Sequence, residues 1–231
     1  MGILRKIERA IESRLEGGAP AGDLHVLEAA RNVCRQLLDH KFRWRKRTFL
    51  PNMLLVPFKD PHKAPPHYAA ELVRLVQESL SGSIFELLAP FQAKLVPREA
   101  GFETVEVGWM DERQQIALGL IECLEGPAQG KRWLIPRQGA ILGRGGEVPL
   151  AIVGDLLMSR HHLKIAVVAG GRILLEDLGS SNGTQVGGKV LPPRHKVVVN
   201  SGTRLEAGCS SFVAAAFPAQ YERWQEGVLP S

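Results

Sequence analysis

Three short polar clusters carry residue types that could grip a phosphate group. Gly143-Arg144 is the first, Ser159-Arg160-His161-His162 the second, and Asp177-Leu178-Gly179-Ser180-Ser181-Asn182-Gly183-Thr184 the third. A phosphate ester is best held by planar guanidinium groups, short hydroxyl donors and backbone N–H groups. Arg144 and Arg160 supply the cations, and Ser159, Ser180 and Ser181 supply the hydroxyls. Asn182 offers both an amide donor and an acceptor, which suits pinning the backbone of a bound peptide rather than the phosphate itself. Gly143 lets the backbone turn so that Arg144 is aimed, and Gly183 after Asn182 makes a tight turn from which Thr184 returns the chain to a strand. Each charge-assisted bond contributes roughly 1.5–3 kcal/mol, so three or four would separate a phosphorylated peptide from its unmodified form by orders of magnitude.

Such clusters need a rigid frame, and the flanking sequence supplies one. From residue 116 onward, short β-type runs at 117–124, 132–135, 140–142, 163–168, 172–176, 196–199 and 211–217 alternate with Gly, Pro and Asn turns. Several short strands at close spacing predict a β-sandwich or barrel with the polar clusters on its loops. The polar run Asp111-Glu112-Arg113-Gln114-Gln115 marks a boundary. The tail beyond Pro218 reads as a frayed end or a last helical turn.

In this half the chain resembles the forkhead-associated (FHA) domain, whose pattern runs Gly-Arg, then Ser-Arg-x-His, then Asp-x-x-Ser-x-Asn-Gly-Thr. All three segments are present in that order. The resemblance implies a β-sandwich over residues 116–218 whose loops bind phosphothreonine peptides. Carried over by position, it implies phosphate contacts from Arg144, Ser159 and Ser181 and a peptide clamp from Asn182. Arg160 is placed either at the phosphate or facing solvent. Gly143, His162, Gly183 and Thr184 are expected to shape the loops. Three departures bear on peptide selection: Gly187-Gly188 stands where the family often has Asn-Gly, Gly202-Thr203 replaces a Gly-Asp turn, and the loop over 145–157 is somewhat long and largely apolar. Leu157 and Met158 border the expected cup and suggest an apolar preference downstream of the phosphothreonine. Choice of Thr over Ser would rest on one methyl group, about 0.8 kcal/mol on burial.

The first half, residues 1–112, predicts a separate α+β domain. Residues 2–16 recur every four with Ile3, Ile7, Ile11 and Leu15, as an amphipathic helix does. Asp23 is expected to cap a second helix that aligns Leu27, Ala30, Cys34, Leu37 and Leu38. A buried strand is expected over 50–58, a loop over 59–66, a helix over 67–79 with Ala70, Val73, Leu75, Val76 and Leu80 inward, and strands over 91–96 and 102–109. The domain order, with Phe49-Leu50-Pro51-Asn52 leading a strand, resembles an uncharacterised domain that precedes FHA domains in some bacterial proteins. That resemblance implies a setting in Ser/Thr kinase signalling. The first half could then hold a second protein partner or carry the phosphorylated residue itself, with Thr48 and Thr104 as candidates.

Composition bounds the alternatives. The chain has 231 residues, 45% hydrophobic and 23% charged, with a net charge of +5. These values suit one or two globular domains and do not demand a nucleic-acid partner. No apolar run is long enough to span a bilayer, and no apolar core follows the N-terminal charges, so a cytoplasmic location is expected. Cys34, Cys123 and Cys209 show no metal-type pairing and read as small buried hydrophobes. Neither a phosphate-binding Gly-Lys-Ser/Thr loop, a metal-ligand cluster nor a nucleophile elbow is present, so neither catalysis nor a cofactor is expected. The run His40-Lys41-Phe42-Arg43-Trp44-Arg45-Lys46-Arg47 reads as a solvated turn with two tucked aromatics, or as a contact for an anionic membrane or nucleic acid. A phosphate-independent interaction scaffold is the remaining alternative.

Overall fold

The computed structural model describes Arg5, Arg9, Ser13, residues 21–97 and residues 105–217. The chain packs as two units, the first reaching Met110 and the second beginning at Asp111. Of the expected helix over 2–16, only Arg5, Arg9 and Ser13 are described, and all three are helical and exposed. Residues 98–104, including Thr104, and the tail from 218 lie outside the described residues.

In the first unit, helix α1 (Ala21–Asp39) turns Val26, Leu27, Ala30, Val33, Cys34 and Leu37 into the core. Asp23 lies inside this helix rather than ahead of it. Strands β1 (Phe42–Trp44) and β2 (Arg47–Phe49) form an antiparallel hairpin. The basic run is therefore a hairpin whose turn holds Arg45 at φ 55°. Phe42 stacks on Trp44 at 6.1 Å and meets the buried Trp109 edge-on at 6.4 Å, while Arg47 pairs with Glu86 at 2.7 Å.

Strand β3 (Met53–Phe58) is followed by helix α2 (Tyr68–Leu80), short strand β4 (Phe85–Glu86), β5 (Gln92–Pro97) and β6 (Glu106–Gly108). β3 lies between β5, which is parallel, and β6, which is antiparallel, while β4 joins β2 in parallel. Parallel neighbours need a crossover, and α2 provides it. The helix buries Tyr68, Leu72, Leu75, Val76 and Leu80. Ala70, expected inward, is exposed because the apolar stripe is centred on Leu72. Arg74 bonds Glu71 and Glu78 on the outer face. The expected strand over 50–58 begins only at Met53, because Asn52 is fully buried as a clamp. Its amide donates to Pro90 O and Met110 O, and its Oδ1 accepts from the Met110 N–H. Thr48 sits within β2, between Arg43 of β1 and Phe85 of β4.

The second unit is all β among the described residues. Its strands are β7 (Ala117–Glu125), β8 (Arg132–Pro136), β9 (Ala140–Gly143), β10 (Leu150–Ala151), β11 (Leu163–Val168), β12 (Arg172–Asp177), β13 (Thr184–Val186), β14 (Lys189–Leu191), β15 (Lys196–Val199), β16 (Arg204–Ala207) and β17 (Ser210–Ala216). They form a five-stranded sheet, β10-β9-β11-β12-β15, and a six-stranded sheet, β14-β13-β16-β17-β7-β8. The sheets share a core that includes Leu120, Ile135, Ile165, Leu175, Leu205 and Phe212. Alternation sets the register of the faces. Leu163, Ile165 and Val167 of β11 point inward, and so do Ile173, Leu175 and Asp177 of β12. β12 therefore ends with an inward carboxylate. Cys34 and Cys123 are buried, but Cys209 is exposed in the turn between β16 and β17, where no strand partner covers it.

Candidate functional site

β9 ends at Gly143, and Arg144 begins the loop beyond it. The Arg144 N–H donates to Ser159 O at 3.0 Å, and the Gly145 N–H donates to Arg160 O at 3.2 Å. The first two polar clusters thus run side by side, joined through the backbone. Gly143 is required by this approach: a Cβ there would stand 2.0 Å from Arg160 O and 3.0 Å from Ser159 O. The constraint is steric contact, where the sequence suggested a turn. The Arg144 and Arg160 side chains are exposed, and neither has an ion-pair partner among the described residues.

The third cluster is brought to the same place. The Ser181 N–H donates to Ser159 Oγ at 3.0 Å, and the two serine hydroxyls lie 3.5 Å apart. Asn182 donates from Nδ2 to Leu157 O at 2.7 Å and keeps its second amide hydrogen and Oδ1 without partners among the described residues. Arg144, Ser159, Ser181 and Asn182 therefore stand on loops bonded to one another. Ser180 is placed differently: its hydroxyl donates to Asp177 Oδ2 at 2.6 Å.

His162 joins the loops from below. It is fully buried, its Nδ1 accepts the Ser159 N–H at 3.0 Å, and its Nε2 donates to Gly183 O at 3.1 Å. Those partners require the neutral ring with its proton on Nε2. Burial pushes its pKa down, opposed by the bond to Gly183 and the charges of Asp177 and Asp155. Gly183 adopts φ 75° with open space where a side chain would be, so glycine is favoured there by conformation alone.

Two buried aspartates hold the loops. Asp177 accepts from the N–H groups of Gly179 and Ser180, both at 2.8 Å, from Ser180 Oγ, and from Thr184 Oγ1 at 2.5 Å. Asp155 accepts from the N–H groups of Leu157, Met158 and Cys209, and from Ser210 Oγ at 2.6 Å. Burial raises both carboxyl pKa values, but the hydrogen bonds outweigh it and hold them below the ordinary carboxylate range. Asp155 belongs to none of the three polar clusters, and the turn-like dipeptide Gly154-Asp155 is its one local mark in the sequence. Anchored this way, the loop before Ser159 keeps Val153, Leu156 and Leu157 exposed, at 71%, 85% and 55%. Met158, expected at the rim beside Leu157, is buried instead because its backbone is bonded down onto Asp155.

Among the described residues, no group of three or more His, Cys, Asp or Glu side chains is placed to hold a metal. No helix among them is long and apolar enough to cross a membrane.

Comparison with known proteins bears on this second unit. Residues 140–208 match the family model of the FHA domain. No curated protein matches the chain. Solved structures that are similar include the FHA domain of the CT664 protein from Chlamydia trachomatis, 24% identical, covering 42% of this chain and 96% of that one with a TM-score of 0.38. The FHA domain of an Arabidopsis thaliana hypothetical protein is 25% identical, with 45% and 87% covered and a TM-score of 0.39. The FhaA FHA domain complexed with the intracellular domain of Rv3910 is 25% identical, with 42% and 98% covered and a TM-score of 0.36.

Proposed function

Starting from a chain that carries an FHA domain over residues 140–208, we propose that this protein is a phosphothreonine-peptide-binding adaptor in bacterial Ser/Thr kinase signalling. One observation carries the reading: Ser159 receives both neighbouring loops, the Arg144 N–H at its carbonyl and the Ser181 N–H at its hydroxyl. An exposed arginine and two serine hydroxyls thereby stand on joined loops, donor types that suit a phosphate. Arg144, Ser159 and Ser181 contact the phosphate, Arg160 adds charge beside them, and Asn182 clamps the peptide backbone. Ser180, bonded to Asp177, shapes the loop together with Gly143, His162, Gly183 and Thr184.

The apolar residues Val153, Leu156 and Leu157 adjoin the clamp, since Leu157 O holds Asn182. They favour an apolar side chain on the peptide downstream of the phosphothreonine. On this reading residues 116–218 are a recognition domain rather than an enzyme. Residues 1–112 are a second domain through which another protein is held, and the protein works in the cytoplasm. The phosphorylated partner is a Ser/Thr kinase or its substrate.

The test is binding of an oriented phosphothreonine peptide library to the full chain and to Arg144→Ala. Binding that needs the phosphate and falls at least about tenfold in the variant supports the reading, since one charge-assisted bond to phosphate is worth roughly 1.5–3 kcal/mol. A folded wild-type chain that binds phosphorylated and plain peptides alike would leave only a phosphate-independent scaffold.

A further inference from the structure

A third arginine stands at the same rim, on an element that none of the three sequence clusters includes. Residues 192–195 join β14 to β15. Leu191 at the end of β14 faces Thr184, and Lys196 at the start of β15 faces Glu176. Both partners flank the 178–183 loop, so the 192–195 connection lies at the loop end of the sandwich.

Its conformation is closely fixed. The Arg194 N–H donates to Asp177 O at 2.8 Å, on the residue from which the 178–183 loop hangs. The His195 N–H closes on Pro192 O at 3.1 Å, and Pro192-Pro193 restricts the backbone before it. Arg194 takes φ 61°, a left-handed backbone that Gly or Asn adopts more readily. Its side chain runs along the loop: a Cβ on Gly179 would stand 3.8 Å from Arg194 Nε. Gly179 is one residue from Ser180 and two from Ser181.

The local charges leave this guanidinium without a carboxylate among the described residues. Glu176 faces Lys196 at 3.8 Å, and the Asp177 carboxylate already takes four donors. Elsewhere in the unit, Arg132 pairs with Glu122, and Arg204 with Glu125 and Glu206. Arg144, Arg160 and Arg194 share the loop end and have no such pairs among the described residues.

We propose that Arg194 forms a second anionic subsite beside the phosphate cup, taking an acidic group of the same peptide, either a carboxylate or a second phosphate. The inference rests on the phosphopeptide reading above. The subsite makes the protein favour sites with an acidic residue or another phosphorylated residue at one register from the phosphothreonine. Both ligands match a guanidinium fork, and the phosphate carries more charge.

The experiment measures affinities of singly phosphorylated peptides with neutral flanks, of the same peptides with Glu moved through each flanking position, and of doubly phosphorylated versions. The full chain is compared with Arg194→Asn, which tolerates the left-handed backbone, and with Arg194→Lys, which keeps the charge. At one register, Glu should raise wild-type affinity about three- to fivefold, the size of an exposed ion pair, and a second phosphate should raise it about tenfold. The acidic-to-neutral ratio should collapse toward one in Arg194→Asn, recover in part in Arg194→Lys, and shrink with added salt. A gain with phosphate alone identifies the second phosphate as the ligand, and a gain with both identifies a general acidic subsite. A ratio near one in the wild type, or one that Arg194→Asn leaves intact, overturns the subsite while phosphate-dependent binding stands. Loss of all phosphate dependence in the wild type overturns the cup and the subsite together.

Discussion

The imidazole of His162 accepts the Ser159 N–H at 3.0 Å, so a buried ring sets the height of a serine that stands at the rim. Protonation at Nδ1 would remove the lone pair that this bond needs. The folded-state pKa is lowered, so the unfolded chain binds the proton more readily. The stability this group contributes is full above the ordinary imidazole value of about 6.5 and is lost as pH falls through the folded value. Thermal unfolding followed from pH 8 to 5 should show this decline in the wild type and a smaller one in His162→Gln. Equal slopes in the two proteins would show that His162 is not the titrating group.

Removing the Thr184 hydroxyl tests the aspartate beneath the third cluster. Thr184→Val keeps the shape but takes one of four donors from Asp177. The expected cost is about 1–3 kcal/mol, read by urea unfolding. Because the Asp177 pKa is depressed, its stabilisation is present above the ordinary carboxyl range and disappears as pH falls through the folded value. The difference between wild type and Thr184→Val should therefore narrow in acid. No stability difference between the two proteins at neutral pH would count against this carboxylate as the partner.

Two glycines of the motif should respond unequally to alanine. Gly143→Ala drives a methyl group into the Ser159-Arg160 backbone and is expected to cost about 3 kcal/mol or more while displacing the second cluster. Gly183→Ala meets open space and bears only its left-handed φ, about 1–2 kcal/mol. Chemical denaturation of both variants gives the comparison. Equal costs would contradict the close approach at Gly143.

The exposed apolar side chains offer a change that separates binding from stability. Leu156 is 85% exposed, so Leu156→Ser should alter unfolding free energy by no more than about 0.5 kcal/mol. The same variant should lose affinity for phosphopeptides with an apolar downstream residue and retain it for those without one. Uniform weakening across all peptides would remove Leu156 from peptide selection.

Much of the second unit could be read from the chain because its information is local. Strands at 163–168 and 196–199 occur where alternation places them, and the motif loops are spelled by consecutive residues. Strands β10, β14 and β16 carry no such signal, and β13 is marked only by the turn that precedes Thr184. Each has two to four residues with at most two inward apolar positions, too few for a period to appear. Asp155 is silent in the sequence for a different reason: its partners Cys209 and Ser210 lie more than fifty residues away, and only the fold brings them near. Ser180 shows the limit of reading by residue type, since a hydroxyl suited to a phosphate is directed instead to a neighbouring carboxylate. In the first unit the apolar pattern is enough to find helices α1 and α2 and the central strand β3. The clamp that fixes where that strand begins, Asn52 onto Pro90 and Met110, joins distant segments and leaves no periodic trace.

The bonds that join the 144, 159 and 181 regions run within the chain, from backbone N–H groups to a backbone carbonyl and to the Ser159 hydroxyl, with the Ser159 N–H held on a buried ring. A rim shaped by its own scaffold loses little conformational freedom when a peptide arrives. Encounter rates are then set by diffusion and by the pull of the arginines, which salt weakens, and differ little from one phosphopeptide to the next. Choice among partners falls to how long each complex survives, so residence time is the quantity in which this protein's selectivity should be measured.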